Sequence, residues 1–256
     1  MTRALLGLLT RIRLPGSAVN LESAAEQQYL FPLIGLLVGM MAALICTVLG
    51  HVFGREDSLV SGGLLIAAMY AITGIIHTEG LADLADGAIA SGNSDRKRAV
   101  MKDPHIGVAA VIVVAVYLLI FFALATRLCA KADYTIGFAL IPWGIPVAFG
   151  FVLSEVSGKL AMNTSMLIGP SAHRGMGSAF VEKANARTFA AALAIAIGPC
   201  ALLAGFASII LLAGIAAGAA VTIVARTQFG GVSGDVFGAA NEIGRMSSLI
   251  LWVLII

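Results

Sequence analysis

Hydrophobic residues in this chain fall into long blocks separated by short polar segments. Seven blocks approach bilayer length: 30–52, 59–77, 107–126, 136–156, 188–206, 208–225 and 236–256. A helix needs about 20 apolar residues to cross a bilayer, whereas a soluble core helix shows a stripe of 3.6-residue period. The pattern therefore predicts an all-α fold: a polytopic transmembrane helical bundle of about seven spans, built as one domain over 1–256. Residues 1–28 form a cytoplasmic, amphipathic arm ahead of the first span. The fifth and sixth blocks are continuous and are divided near Gly205, with Gly198-Pro199 as a second candidate break. The seventh carries Asp235, Asn241, Glu242 and Arg245 in its first half.

Composition supports this reading. Hydrophobic residues make up 59% of the chain and charged residues 12%, against roughly 25% charged in a soluble domain. Positive charge orients the bundle. With the N-terminus in the cytoplasm, thirteen of the sixteen Lys and Arg fall on inner segments, as the positive-inside rule requires. The protein is thus expected in the cytoplasmic (inner) membrane, in contact with membrane lipid. A net charge of +2 and the lack of an aromatic-interleaved basic patch argue against nucleic acid as a partner. Cys46, Cys129 and Cys200 have spacings that suit neither a disulfide framework nor a zinc site. The sequence is compatible with a homo-oligomer and does not specify one.

In this topology the polar chemistry lies on inner segments 78–106, 157–187 and 226–245, which places a polar site at the cytoplasmic face. The most informative stretch is His77-Thr78-Glu79-Gly80-Leu81-Ala82-Asp83-Leu84-Ala85-Asp86-Gly87. On a helix, Glu79, Asp83 and Asp86 share one face. Like charges so close repel unless a cation neutralises them, so these three are candidate metal ligands. A solvated helix end is the plain alternative. His77 is a candidate for function or a satisfied helix-end histidine. A basic cluster follows, Arg96-Lys97-Arg98 and then Lys102-Asp103-Pro104-His105. Carboxylates plus cations suit a phosphate-bearing substrate held with Mg²⁺. Arg96 to Arg98 serve equally as a lipid-facing anchor.

The third segment reads Gly230-Gly231-Val232-Ser233-Gly234-Asp235-Val236-Phe237-Gly238-Ala239-Ala240-Asn241-Glu242. Its glycines allow close backbone approach or small-residue packing. Asp235 and Glu242 share a helix face, with Gly234 and Asn241 beside them. Asp235 thus joins the candidate metal set, and two acidic helices would share one or two metals. In the second segment Lys159, Asn163, Ser171, His173, Arg174 and Lys183 are polar candidates, Arg174 being the foremost for phosphate.

The blocks His77–Gly87, Met101–Gly107 and Ser233–Glu242 resemble the cobalamin synthase family, the adenosylcobinamide-GDP ribazoletransferases. Leu9–Pro15 and Phe31–Gly35 resemble the family's opening. Two positions depart from it: Glu79 stands where Asp is usual, and His105 where Arg is frequent. The resemblance implies an Mg²⁺-dependent phosphotransferase in a prokaryotic cytoplasmic membrane. Its substrates would be adenosylcobinamide-GDP and α-ribazole or α-ribazole 5′-phosphate, the latter attacking through its 5′ oxygen. GMP would leave and adenosylcobalamin or its 5′-phosphate would form.

On this reading Asp83, Asp86, Asp235, Glu242 and His77 are catalytic. Lys102, Arg96, His105, Arg174, Asn241 and Gly234 contact substrate or phosphate. Two alternatives fit less well. Asp83-Leu84-Ala85-Asp86-Gly87 begins like a CDP-alcohol phosphotransferase element, but Ser91 follows Ala90 and no later Asp pair at i, i+4 appears. A cation-coupled transporter would use Glu155, yet most acids cluster on one surface.

Overall fold

A computed structural model of the chain describes residues 2–12, 21–132 and 146–256. Arg13 to Pro15 of the arm, and the first ten residues of the expected fourth span, lie outside the described residues. All described elements are helical. The N-terminal arm holds α1 (Thr2–Leu9) and α2 (Leu21–Glu26), and a 3-10 turn (Gln28–Leu30) leads into α3 (Phe31–Phe53). Next come α4 (Ser58–Thr73), α5 (Ile76–Ile89), α6 (Ser94–Met101) and α7 (Val108–Ala132). The second half has α8 (Phe149–Ile168), α9 (Met176–Lys183), α10 (Ala186–Ala204), α11 (Leu211–Phe229) and α12 (Gly234–Ile255).

Among the described residues, three helical stretches are long and apolar enough to cross a membrane alone: Gln28–Phe53, Val108–Ala132 and Ala186–Phe229. Their outward residues include Leu44, Leu119, Leu202 and Leu212, all well exposed. Such large apolar surface is typical of a protein that meets lipid. A fourth stretch is α4 with α5, and these two helices are bent by 95°. Gly74, at φ 72° beyond the last turn of α4, supplies the backbone conformation that L side chains resist. The carboxylate segment therefore does not continue the axis of α4.

α8 is the central post. Residues Gly150 to Met166 are all buried, with α3, α11 and α12 packed around it. Gly35 and Gly39 of α3 lie on Glu155 and Val152, while Gly214 and Gly218 of α11 lie on Ser157 and Ala161. Small residues let these backbones approach closely. The contacts also set direction: α3 runs antiparallel to α8 and α11 parallel to it. α10 packs on the Gln28–Leu30 turn, which Asn163 grips at the Gln28 carbonyl (3.0 Å). The start of α11 lies instead near Ser248, through Ile210 (3.4 Å). The α-helical run is interrupted between α10 and α11 by a 3-10 turn, Gly205–Ile210, that begins at Gly205 (φ 55°), the break expected from sequence.

Two boundaries differ from expectation. The segment 157–187 is not all loop, because α8 continues to Ile168. The segment 226–245 shrinks to a four-residue connection between α11 and α12. In α8 and the body of α12, Glu155, Lys159, Asn241, Glu242 and Arg245 satisfy one another, so polarity did not mark a helix end there. Cys46 and Cys129 are buried free thiols, their sulfurs 3.5 Å apart.

Candidate active site

Two acidic helices meet at one end of the bundle. α5 and α12 cross at glycines: a Cβ on Gly80 would lie 2.5 Å from the Asp235 carbonyl oxygen, and one on Gly238 would lie 3.0 Å from the His77 carbonyl oxygen. No side chain larger than hydrogen fits at Gly80 without parting the helices. This approach sets Glu79 and Asp83 of α5 beside Asp235, in the first turn of α12. Ser233 caps α12 and donates its hydroxyl to Asp235 Oδ2 (3.3 Å).

The electrostatics follow from that placement. The Asp83 carboxyl is pushed up to about 6, first by desolvation and then by the charges of Asp235, Glu79 and Asp86. Asp235 is also raised, chiefly by desolvation, against the lowering pull of Ser233, His173 and Lys102. Like charges gather here without an ion-pair partner for Asp83 or Asp235 among the described residues.

Glu79 and Asp83 line two cavities and form part of the wall between them. On one side is a cavity of about 330 Å³ reaching His77, His173, Gly234, Asp235 and a floor of Phe31, Met162, Met166 and Phe180. On the other is a wider groove of about 600 Å³ reaching Asp86, Lys102, Asp103 and His105. Lys102 also reaches a small crevice shared with His173 and Asp235. His105 is held to Asp103 by backbone and ring nitrogens, 2.9 and 2.7 Å from Oδ1. These bonds keep the exposed Asp103 carboxyl below its usual range.

Asp86 is used differently from its neighbours. Its two oxygens accept the amides of Gly107 (2.7 Å) and Ala110 (2.9 Å). It thereby satisfies donors at the N-terminus of α7 and closes the 103–107 turn over α5. The basic cluster is also divided. Lys97 donates to the Ala88 carbonyl (3.0 Å) and Gln228 (2.6 Å), and Arg98 to the Phe229 carbonyl at the end of α11 (2.5 Å). These two staple α6 to the bundle. Arg96 and Arg174 are exposed and line neither cavity.

Asn241 and Glu242 belong to a second polar cluster, deep among α7, α8 and α12. Glu242 pairs with Arg245 (2.5 Å) and accepts from Tyr117. Arg245 also pairs with Glu155 (3.1 Å). Asn241 accepts from Lys159 (2.6 Å) and donates to Glu242 (3.3 Å). None of these side chains lines either cavity.

Sequence reasoning ranked His173 below its neighbour Arg174, but His173 is the one that reaches the cavity. It also gave no role to Leu8 and Leu9 of α1, which complete the cavity wall. Their apolar repeat within a short helix was the available signal. The loop carrying His173 is fixed by pairing with the α11–α12 connection: Val232 donates to Pro170 (2.8 Å) and Ala172 to Val232 (2.9 Å).

No group of three His, Cys, Asp or Glu side chains among the described residues is arranged to hold a metal ion. Magnesium is commonly bound by one or two carboxylates with phosphate oxygens and water rather than by an all-protein cage. Glu79, Asp83 and Asp235, crowded and with no ion pair to Asp83 or Asp235 among the described residues, fit that donor set.

Fold and site define a helical membrane protein with an acidic cleft between two cavities at one end of its bundle. A family model described as cobalamin-5-phosphate synthase matches residues 1–253, and the chain belongs to that family. It is 29% identical to an adenosylcobinamide-GDP ribazoletransferase of Methanocella arvoryzae, covering 98% of this chain and 96% of the relative. It is 32% identical to proteins of that name from Halorubrum lacusprofundi and Archaeoglobus fulgidus, each over 96% of this chain and 94% of the relative. No solved structure matches it. Membership makes it an enzyme, a transferase of cobalamin biosynthesis.

Proposed function

We propose that this enzyme transfers the adenosylcobinamide-phosphate group of adenosylcobinamide-GDP to a ribose hydroxyl of α-ribazole or its 5′-phosphate, with Mg²⁺ as cofactor. The observation that carries the reading is the carboxylate pair Glu79 and Asp83 standing between two cavities, with Asp235 beside it. Phosphoryl transfer needs in-line placement and charge stabilisation more than covalent catalysis. Attacking and leaving oxygens must approach phosphorus from opposite sides, and a wall shared by two cavities provides for that.

In the reaction a ribose oxygen bonds to the corrinoid-bearing phosphorus. The bond from that phosphorus to the bridging oxygen breaks, and this oxygen departs with GMP. The hydroxyl proton passes to Asp235. The 5′ oxygen implied by the family resemblance is free only in the unphosphorylated nucleoside. An acceptor that keeps its 5′-phosphate must attack through a ring hydroxyl, and the same hydroxyl serves both acceptors.

Glu79 and Asp83 would hold Mg²⁺, whose charge would offset that of the diphosphate. Lys102 and His105 face the same groove and screen phosphate charge. Asp86 positions the turn that carries them. The Glu155–Arg245–Glu242 cluster holds α8, α7 and α12 in register beneath the site. The cleft end faces the cytoplasm, with the N-terminal arm on the same side. Purified protein in detergent, given both substrates and Mg²⁺, should release GMP in step with corrinoid product. Absence of GMP release with any divalent cation would reject the reading.

A further inference from the structure

We propose that the smaller cavity is the subsite for the flat heteroaromatic base of ribazole, and that the wider groove takes the nucleotide-activated corrinoid. The assignment rests on the transferase reading. Ligand pockets commonly measure about 300–1,000 Å³. At about 330 Å³, the smaller cavity matches a nucleoside in size better than a corrin macrocycle. The groove, at about 600 Å³ and more open, leaves a bulky substituent room outside.

The linings divide in the same way. Phe31, Phe180, Met162 and Met166 give the cavity an aromatic and thioether floor, suited to stacking and sulfur contacts with a planar ring. Phe31 and Phe180 pack with ring centroids 5.7 Å apart at 56°, and the Gln28 amide fixes the Phe180 carbonyl (2.9 Å). The floor is thus built before any ligand arrives. Among the described residues no Lys or Arg lines this cavity, whereas Lys102 lines the groove. A diphosphate belongs with the cation and an uncharged base with the rings. The carboxylates at the shared wall then lie where the ribose of one ligand meets the phosphate of the other.

Gly234 offers a test with little structural cost. It lines the cavity, and a Cβ there would have no atom within 4 Å. Gly234→Leu fills open space, and Met176→Trp, at an exposed lining position, is an independent second block. Binding of α-ribazole alone is followed by the base's own fluorescence in detergent-purified protein. KM is then measured for each substrate with Mg²⁺. Both variants should weaken α-ribazole binding and raise its KM about tenfold or more, equivalent to about 1.4 kcal/mol, with KM for adenosylcobinamide-GDP changed less than about twofold. A rise confined to adenosylcobinamide-GDP, or unchanged α-ribazole binding in both variants, would overturn the subsite while leaving the transferase intact. Wild-type protein that releases no GMP would instead remove the transferase reading.

Discussion

The bundle holds two acidic clusters with opposite electrostatic fates. At the cleft, Asp83 faces Glu79 and Asp235 and is pushed up to about 6 by desolvation and like charge. Deep among α7, α8 and α12, Glu155 and Glu242 share Arg245, and Tyr117 and Lys159 complete the network. The deep cluster is neutralised by the protein itself and acts in packing. The cleft cluster has no ion pair of its own among the described residues, and Lys102 and His173 act on Asp235 only through space, so a bound cation would complete its neutralisation. Identical side chains take different roles according to whether a cation was folded in beside them.

The sharpest way to break this contrast is to remove the folded-in cation. Arg245→Met strands two buried carboxylates, and losing one partner of a buried pair costs about 3–5 kcal/mol. Thermal unfolding in detergent should show a large drop, partly restored by adding Glu155→Gln and Glu242→Gln. An unchanged melting temperature would mean the network is not neutralised as described. At the cleft the same kind of change should act on rate. Asp83→Asn should lower turnover by about 10²–10³, the loss typical when a preorganised electrostatic contact is removed, with folding intact. Asp86→Asn should cost less in rate and more in stability, about 1 kcal/mol, because that carboxylate caps α7. Equal rate losses in the two variants would erase the distinction between them.

Lys102→Ala sharpens the comparison from the cationic side. It should raise KM for adenosylcobinamide-GDP several-fold and flatten its salt dependence, since an exposed charge acts over about a Debye length. The smallest effect is in pH. A carboxyl raised when folded is stabilising while protonated and loses that contribution as pH rises through about 6. His173, lowered by burial, acts in the opposite direction over this range, and Asp235 is raised like Asp83, so the informative quantity is a difference: relative to Asp83→Asn, the metal-free wild-type protein should lose melting temperature between pH 5 and pH 7. Added Mg²⁺ should diminish that relative loss, because a cation favours the ionised form. A wild-type melting temperature that rises relative to Asp83→Asn over this range would contradict the crowding of Asp83.

Much of the site was legible from the chain. The spacing of Glu79 and Asp83, and the small residues Gly80 and Gly238 on their helices, announced an acidic face that packs closely. The family likeness of His77–Gly87 and Ser233–Glu242 is upheld by the match over residues 1–253. Less legible was the difference between neighbours of the same type. Asp86 looks like Asp83 in sequence, but the amides of Gly107 and Ala110 engage it. Lys159 and Asn163 looked like loop polarity, yet they lie in the buried face of α8. The i, i+4, i+8 spacing of Glu155, Lys159 and Asn163 was a helical signal, obscured because charge normally marks the end of a span.

Hydropathy and spacing alone determined that this chain is a membrane bundle with carboxylates on shared helix faces, because those properties depend on local periods and on transfer from water to lipid. Only the tertiary structure decided which carboxylates acquired a cation, where α8 ended, and that two cavities of unequal size open on either side of Glu79 and Asp83. Those outcomes depend on contacts between residues far apart in the chain, and charge neutralisation and cavity shape are properties of such contacts rather than of any one segment.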